Sequence, residues 1–155
     1  MENIYTAELR DEGDYRRARL GARAGAEHLG LTVYELAPEQ GMHFHYHLQR
    51  EELLVVLGGT VAVRTGGGWQ DVPEGGVVAF PRGERGVHAY ENRGDRPVRL
   101  LMFSEQNAPN VSVYPDANQV GIYDVAEPGE RRFGALFNLA DAVSGYGGGQ
   151  PSANQ

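Results

Sequence analysis

The stretch MHFHYHLQREELLVVLGG, residues 42–59, decides how the chain folds. It reads as strand, turn, strand. Alternate residues of a strand share a face, so His43, His45 and His47 project together while Phe44, Tyr46 and Leu48 cover the other side. A helix would scatter these three imidazoles around its circumference. After the Gln49-Arg50 turn, Glu52, Leu54 and Val56 share one face of the returning strand. A carboxylate opening an otherwise aliphatic face needs a partner if it points inward. A metal ion on His45 and His47 supplies that partner. Glu51 is the rival ligand, because adjacent strand residues face opposite ways and only one of the pair can point in.

Further along, GGVVAFPRGERGVHAYEN, residues 75–92, gives a glycine-bounded strand, a Pro-Gly turn and a strand that opens with His88. Tyr90, two residues on, shares the His88 face. Three imidazoles and one carboxylate leave one or two positions open on an octahedral ion. That donor set suits Fe, Mn, Ni, Co or Zn. The chain has no Cys, so a closed structural zinc site built on thiolates does not arise.

The rest of the chain repeats the strand pattern. With 22 Gly and 8 Pro it is interrupted too often for long helices. Short runs rich in β-branched and aromatic residues predict strands at 31–36, 42–48, 52–57, 60–65, 77–80, 87–91 and 98–104. Seven short strands with turns between them predict an all-β sandwich or barrel. An eight-stranded jelly roll fits if Tyr5 and Thr6 or the run Val111–Tyr114 add edge strands. One domain over 1–155 is expected, with a barrel core at about 29–104, an N-terminal arm over 1–28, an extension over 105–144 and a Gly-rich tail over 145–155. The segment Asp14–Glu27 reads as a short helix or an irregular arm. Its Arg-rich run, Tyr15 to Arg19, reads as a solvated face. Ala135 to Val143 has a weak helical rhythm.

Composition narrows the chemistry. A net charge of −7 with no basic stripe disfavours nucleic acid as a partner. No apolar run is long enough to span a bilayer, and the polar, mixed-charge start does not read as a secretory signal, so a cytoplasmic location is expected. Every basic residue is Arg, which removes Schiff-base chemistry on a lysine. His, carboxylate, Tyr, Ser/Thr and a bound metal remain.

These residues resemble the two motifs of the cupin superfamily. The first has the form H-x-H, three or four residues, E, six residues, G; here it is His45-Tyr46-His47, four residues, Glu52, six residues and Gly59. The second is met by Gly75, Pro81, Gly83, His88 and Asn92, with four residues, Glu84 to Val87, where two are usual. The glycine expected six residues before the first His is replaced by Glu39. Spacing to Gly59 and His47 favours Glu52 over Glu51 as the ligand.

The resemblance covers about the middle half of the chain. It extends to short bacterial cupins in which a Tyr-Pro-Asp run, here Tyr114-Pro115-Asp116, follows the barrel.

The resemblance implies a jelly-roll barrel (the cupin fold) with one divalent transition metal on His45, His47, Glu52 and His88. It also implies a homodimer, for which the N-terminal arm is suited to cross between subunits. The leading expectation is a metal-dependent enzyme acting on a small oxygenated molecule. Dioxygenase chemistry is one option; isomerisation of a sugar or sugar phosphate is another, and would need a cation near the mouth such as Arg64 or Arg82.

His43 and Tyr90 are candidate proton-handling groups, although His43 could be a rim residue and Tyr90 core packing. Phe80, Leu54, Val56, Leu101 and Phe103 read as barrel lining or core, Asn92 as a turn stabiliser and His28 as a surface residue. A non-catalytic ligand-binding or sensing module is the rival, and a vestigial site on a structural protein a third reading.

Overall fold

The computed structural model describes residues 1–127 and 130–143. The chain forms two antiparallel sheets with the core between them, the jelly roll that the strand count predicts. One sheet contains β1 (Arg10–Asp11), β2 (Arg16–Arg19), β3 (Leu29–Leu36), β5 (Glu52–Gly58), β8 (Val77–Phe80) and β10 (Val98–Glu105), in the order β1-β2-β3-β10-β5-β8. The other contains β4 (Gly41–His47), β6 (Thr60–Thr65), β7 (Gly68–Pro73), β9 (His88–Glu91), β11 (Asn110–Tyr114), β12 (Gln119–Glu127) and β13 (Glu130–Asn138), ordered β13-β12-β11-β4-β9-β6-β7. Among the described residues no helix is long and apolar enough to cross a membrane.

Period-two alternation places the core. On β5 and β10 the register sets Glu52 opposite Ser104, Leu54 opposite Met102 and Val56 opposite Leu100. Leu54, Val56, Leu100 and Met102 face inward and join Leu36 and Phe80 in the inner core. Burial of each such aliphatic side chain contributes about 1.5–3 kcal/mol.

The opposite face of this sheet is covered as well. Val33 and Leu101 pack there against Leu9, Ala18 and Leu20 of the N-terminal segment. The first residues are thus docked as β1, β2 and a single helical turn, α1 (Leu20–Arg23).

Four expectations need correction. The helical rhythm at Ala135–Val143 is overridden: β13 runs to Asn138 and only a 3-10 turn, Leu139–Asp141, follows. Pairing with β12 over Gln119–Asn138 satisfies its backbone groups as a ladder instead. The N-terminus adds β1 and β2 rather than a strand at Tyr5 and Thr6, whereas the Val111–Tyr114 run does form a strand, β11, inside its sheet rather than at an edge. The Arg16–Arg19 run is no uniform solvated face, since β2 alternates and buries Ala18 against β3. Phe103 is 40% exposed and so neither lining nor core. β7, hidden in the sequence by its polar and glycine residues, pairs along the whole of β6. The expectation for 145–155 lies outside the described residues.

Backbone conformation explains the motif glycines. Gly59, Gly75 and Gly83 have φ of 85°, 79° and 75°, in the left-handed region where a Cβ is penalised. Glu39, where the motif expects glycine, has φ of 67° and adopts the same region without that freedom. The two extra residues before His88 are taken up by a 3-10 turn, Glu84–Gly86, closed by Gly86 N–H donating to Gly83 O and Val87 N–H to Glu84 O.

Candidate metal centre

His45 and His47 come from β4, Glu52 from the start of β5 and His88 from the start of β9. The hairpin turn at 48–51 brings Glu52 back toward the β4 face. Pairing of β4 with β9 sets His45 directly opposite His88. The ligand atoms of His45, Glu52 and His88 lie within 4.8 Å of one another. His47 joins through the carboxylate: its Nε2 is 3.2 Å from Glu52 Oε2, and His88 Nε2 is 3.3 Å from the same oxygen. Glu51 is exposed, and its backbone N–H donates to Glu105 Oε2. The inward carboxylate is therefore Glu52.

Each imidazole is oriented by an acceptor on its Nδ1. His45 Nδ1 donates to the His43 carbonyl at 2.7 Å and His88 Nδ1 to the Gly86 carbonyl at 2.8 Å. His47 Nδ1 is shared by Asn110 Oδ1 and Ser112 Oγ, both at 3.0 Å, while Asn110 Nδ2 donates to Ser112 Oγ at 3.1 Å. Placing the proton on Nδ1 leaves each Nε2 lone pair for a cation, the arrangement by which outer partners aim histidine ligands. Stacking completes the support of two rings: Phe80 lies 3.8 Å from His88 at 7°, and Tyr114 lies 5.8 Å from His45 at 23°.

His88 Nε2 is buried and has no hydrogen-bond partner; the nearby Glu52 oxygen does not meet hydrogen-bond geometry. A buried, orphaned ring nitrogen aimed at a carboxylate is what a metal ligand looks like without its ion. Electrostatics agree. Burial, with the His88 and His47 rings beside it, lowers the His45 pKa to about 3, so this imidazole is neutral. Burial works against the Glu52 carboxylate, yet the His47 and His88 rings outweigh it and hold its pKa well below the ordinary range. A neutral His45 beside an ionised Glu52 is the protonation state that coordination requires of these two groups. The residues fit a divalent transition metal.

The other expected site residues are distributed as follows. His43 is exposed, because a bulge between Met42 and His45 breaks the alternation that would have put all three histidines on one face. What it gives the cluster is its carbonyl. Tyr90 is 2% exposed in the inner core, its ring 6.4 Å from that of His88, and burial pushes its hydroxyl pKa well up. Arg64 is held by Asp116 and lies over the Phe44 ring, on the far face of β4 from His45. Arg82 is paired with Glu105. Asn92 is fully buried and binds the Leu36 and Arg96 carbonyls, as a turn stabiliser should. His28 is exposed.

Sequence reasoning missed Asn110, Ser112 and Tyr114. Their signal is the alternation in NVSVY, residues 110–114, whose polar positions all fall on one face of a strand.

Residues 32–104 match the family model described as "Cupin domain". The Tetracenomycin polyketide synthase protein TcmJ of Streptomyces glaucescens is 29% identical over 119 residues, covering 77% of this chain and 76% of that protein. A cupin-superfamily sugar phosphate isomerase from Silicibacter pomeroyi superposes with a TM-score of 0.78 at 20% identity, over 92% of this chain and 96% of that one. The polyketide cyclase RemF from Streptomyces resistomycificus gives a TM-score of 0.60 at 19% identity, over 71% of this chain and 82% of that one. At such identities the two structures speak for the fold alone.

Proposed function

The chain is a cupin-superfamily protein, and from that premise we propose that it binds one divalent transition metal through His45, His47, Glu52 and His88 and acts on a small oxygenated organic substrate. One observation carries this reading: every imidazole of the cluster is braced at Nδ1, so that its Nε2 is free for a metal beside the Glu52 carboxylate. A bound ion would act there as a Lewis acid toward substrate oxygens.

The chain's own residues do the rest. Glu52 stays ionised and His45 neutral, ready to meet a cation. Tyr90, protonated at any ordinary pH, can donate a hydrogen bond but cannot serve as a base. His43 is exposed at the β4 bulge and serves the cluster through its carbonyl, which accepts from His45 Nδ1.

TcmJ and RemF carry names from polyketide biosynthesis, and the Silicibacter protein is a sugar phosphate isomerase. The name of TcmJ, the sequence relative, supports a substrate with several oxygens. A cytoplasmic setting without nucleic acid belongs to the same reading. So does a homodimer: the edge strand β13 exposes Phe133, Leu136 and Phe137, which suit burial against a second copy. Sedimentation that returns only a 16.9 kDa monomer would remove the dimer.

The deciding experiment is metal analysis of untagged protein purified without chelators, beside the Glu52→Ala, His88→Ala double variant. About one equivalent is expected in the first and none in the second. Iron or manganese would direct screening to oxygen uptake, and zinc or nickel to isomerase assays. No metal after reconstitution would overturn the proposal. Saturable ligand binding without turnover under any metal would make the protein a sensing or storage cupin instead.

A further inference from the structure

The partly buried arginines divide into two kinds. Arg17 is paired with Glu12, Arg64 with Asp116 and Arg99 with Glu35. Arg50 is also partly buried, but among the described residues no carboxylate lies within ion-pair distance of it. Its Nη2 donates to the Asn107 carbonyl at 2.7 Å, and its Nε is buried with no acceptor. A guanidinium has five N–H donors, and here one is used. Arg50 occupies the turn between His47 and Glu52, two residues before the carboxylate that His47 and His88 share.

The charge count at this place is uneven. A divalent ion, three neutral imidazoles and one carboxylate sum to +1. The metal then claims Glu52, and Arg50 adds a second positive charge that has no ion-pair partner among the described residues. In a partly desolvated site two such charges strongly favour an anionic ligand. Arg64 and Arg82, the cations that the sequence suggested, are already paired elsewhere.

We propose that Arg50 anchors a carboxylate or phosphate group of the substrate whose other oxygens sit at the metal centre. This rests on the metal-binding reading above and narrows the substrate class to small polyoxygenated anions. A guanidinium suits both groups, because each offers paired oxygens to its planar fork.

The test uses cobalt-loaded full-length protein under anaerobic conditions, titrated by visible absorption with three chelators. 3,4-Dihydroxybenzamide is neutral at its tail; 3,4-dihydroxybenzoate and 3,4-dihydroxyphenylphosphonate carry the two anionic tails. Wild type should bind at least one anionic chelator about tenfold more tightly than the benzamide, a difference of about 1.4 kcal/mol. Arg50→Gln should lose that preference while binding the benzamide unchanged. Arg50→Lys, which keeps the charge but not the fork, should retain a few-fold preference and serves as the folded control if the Gln variant is unstable. Equal binding of all three chelators by wild type, or a preference that survives in Arg50→Gln, overturns the role of Arg50 and leaves the metal centre standing. Failure to take up cobalt at all overturns the reading beneath it.

Discussion

His45 and His47 sit two residues apart on β4, yet their rings are braced from different distances along the chain. His45 leans on a carbonyl two residues before it, and His88 does the same on β9. His47 depends on side chains of β11, 63 and 65 residues away in sequence. Backbone braces cannot be removed by any substitution; they can only be displaced. Side-chain braces can be deleted one atom at a time. The family match over 32–104 contains the first kind of brace and stops short of the second. Two of the three imidazoles are thus aimed by backbone inside the matched segment, and the third by side chains of β11 beyond it.

The sharpest way to break the local brace is at Gly86. A Cβ built there would meet the Pro81 carbonyl oxygen at 1.7 Å, against backbone that cannot yield. Gly86→Ala should cost about 3 kcal/mol or more in chemical denaturation, together with loss of metal binding as His88 turns. Gly58→Ala, whose Cβ would meet nothing within 4 Å, is the control and should change little.

The distant brace should fail more gently. Removing both Asn110 and Ser112 side chains, as Asn110→Ala with Ser112→Ala, should weaken metal affinity about 10–100-fold in competition with a chelating dye. The fold should survive, with a loss of about 1–3 kcal/mol. Unchanged affinity in this variant would erase the distinction between the two kinds of support.

The smallest effect concerns protons. In metal-free protein the His45 pKa is depressed to about 3, against 6.5 in the unfolded chain. Between these values the unfolded state binds a proton that the folded state refuses, so stability rises with pH and is lost as pH falls from 6.5 toward 3. His45→Gln should flatten that slope by up to about 1.4 kcal/mol per pH unit, measured by urea denaturation across the window. A slope identical to wild type would mean that His45 is not held neutral.

Much of this was legible from residue order alone, and the exceptions share a cause. The proposed ligands His45, His47, Glu52 and His88 sit on strands whose alternation and turns are local properties. Glu52 prevailed over Glu51 through the same alternation. His43 went astray because a one-residue bulge leaves no mark in composition. β13 looked weakly helical because its fate depends on β12, a partner that periodicity does not see. Asn110 and Ser112 could have been read as a polar face, but nothing local says which neighbour that face meets. Arg50 gives no hint in sequence that it lacks an acid, since pairing is settled only once every strand is in place.

The dependence of His47 on β11 also orders events in time. A ribosome delivers His45, His47, Glu52 and His88 well before it delivers Asn110 and Ser112. A chain made only that far would carry the backbone braces of His45 and His88 but lack the side-chain brace of His47. If the site takes the proposed ion, its strong capture would wait until synthesis has passed β11, so that the grip on metal would tighten with the making of the chain rather than at its first fold.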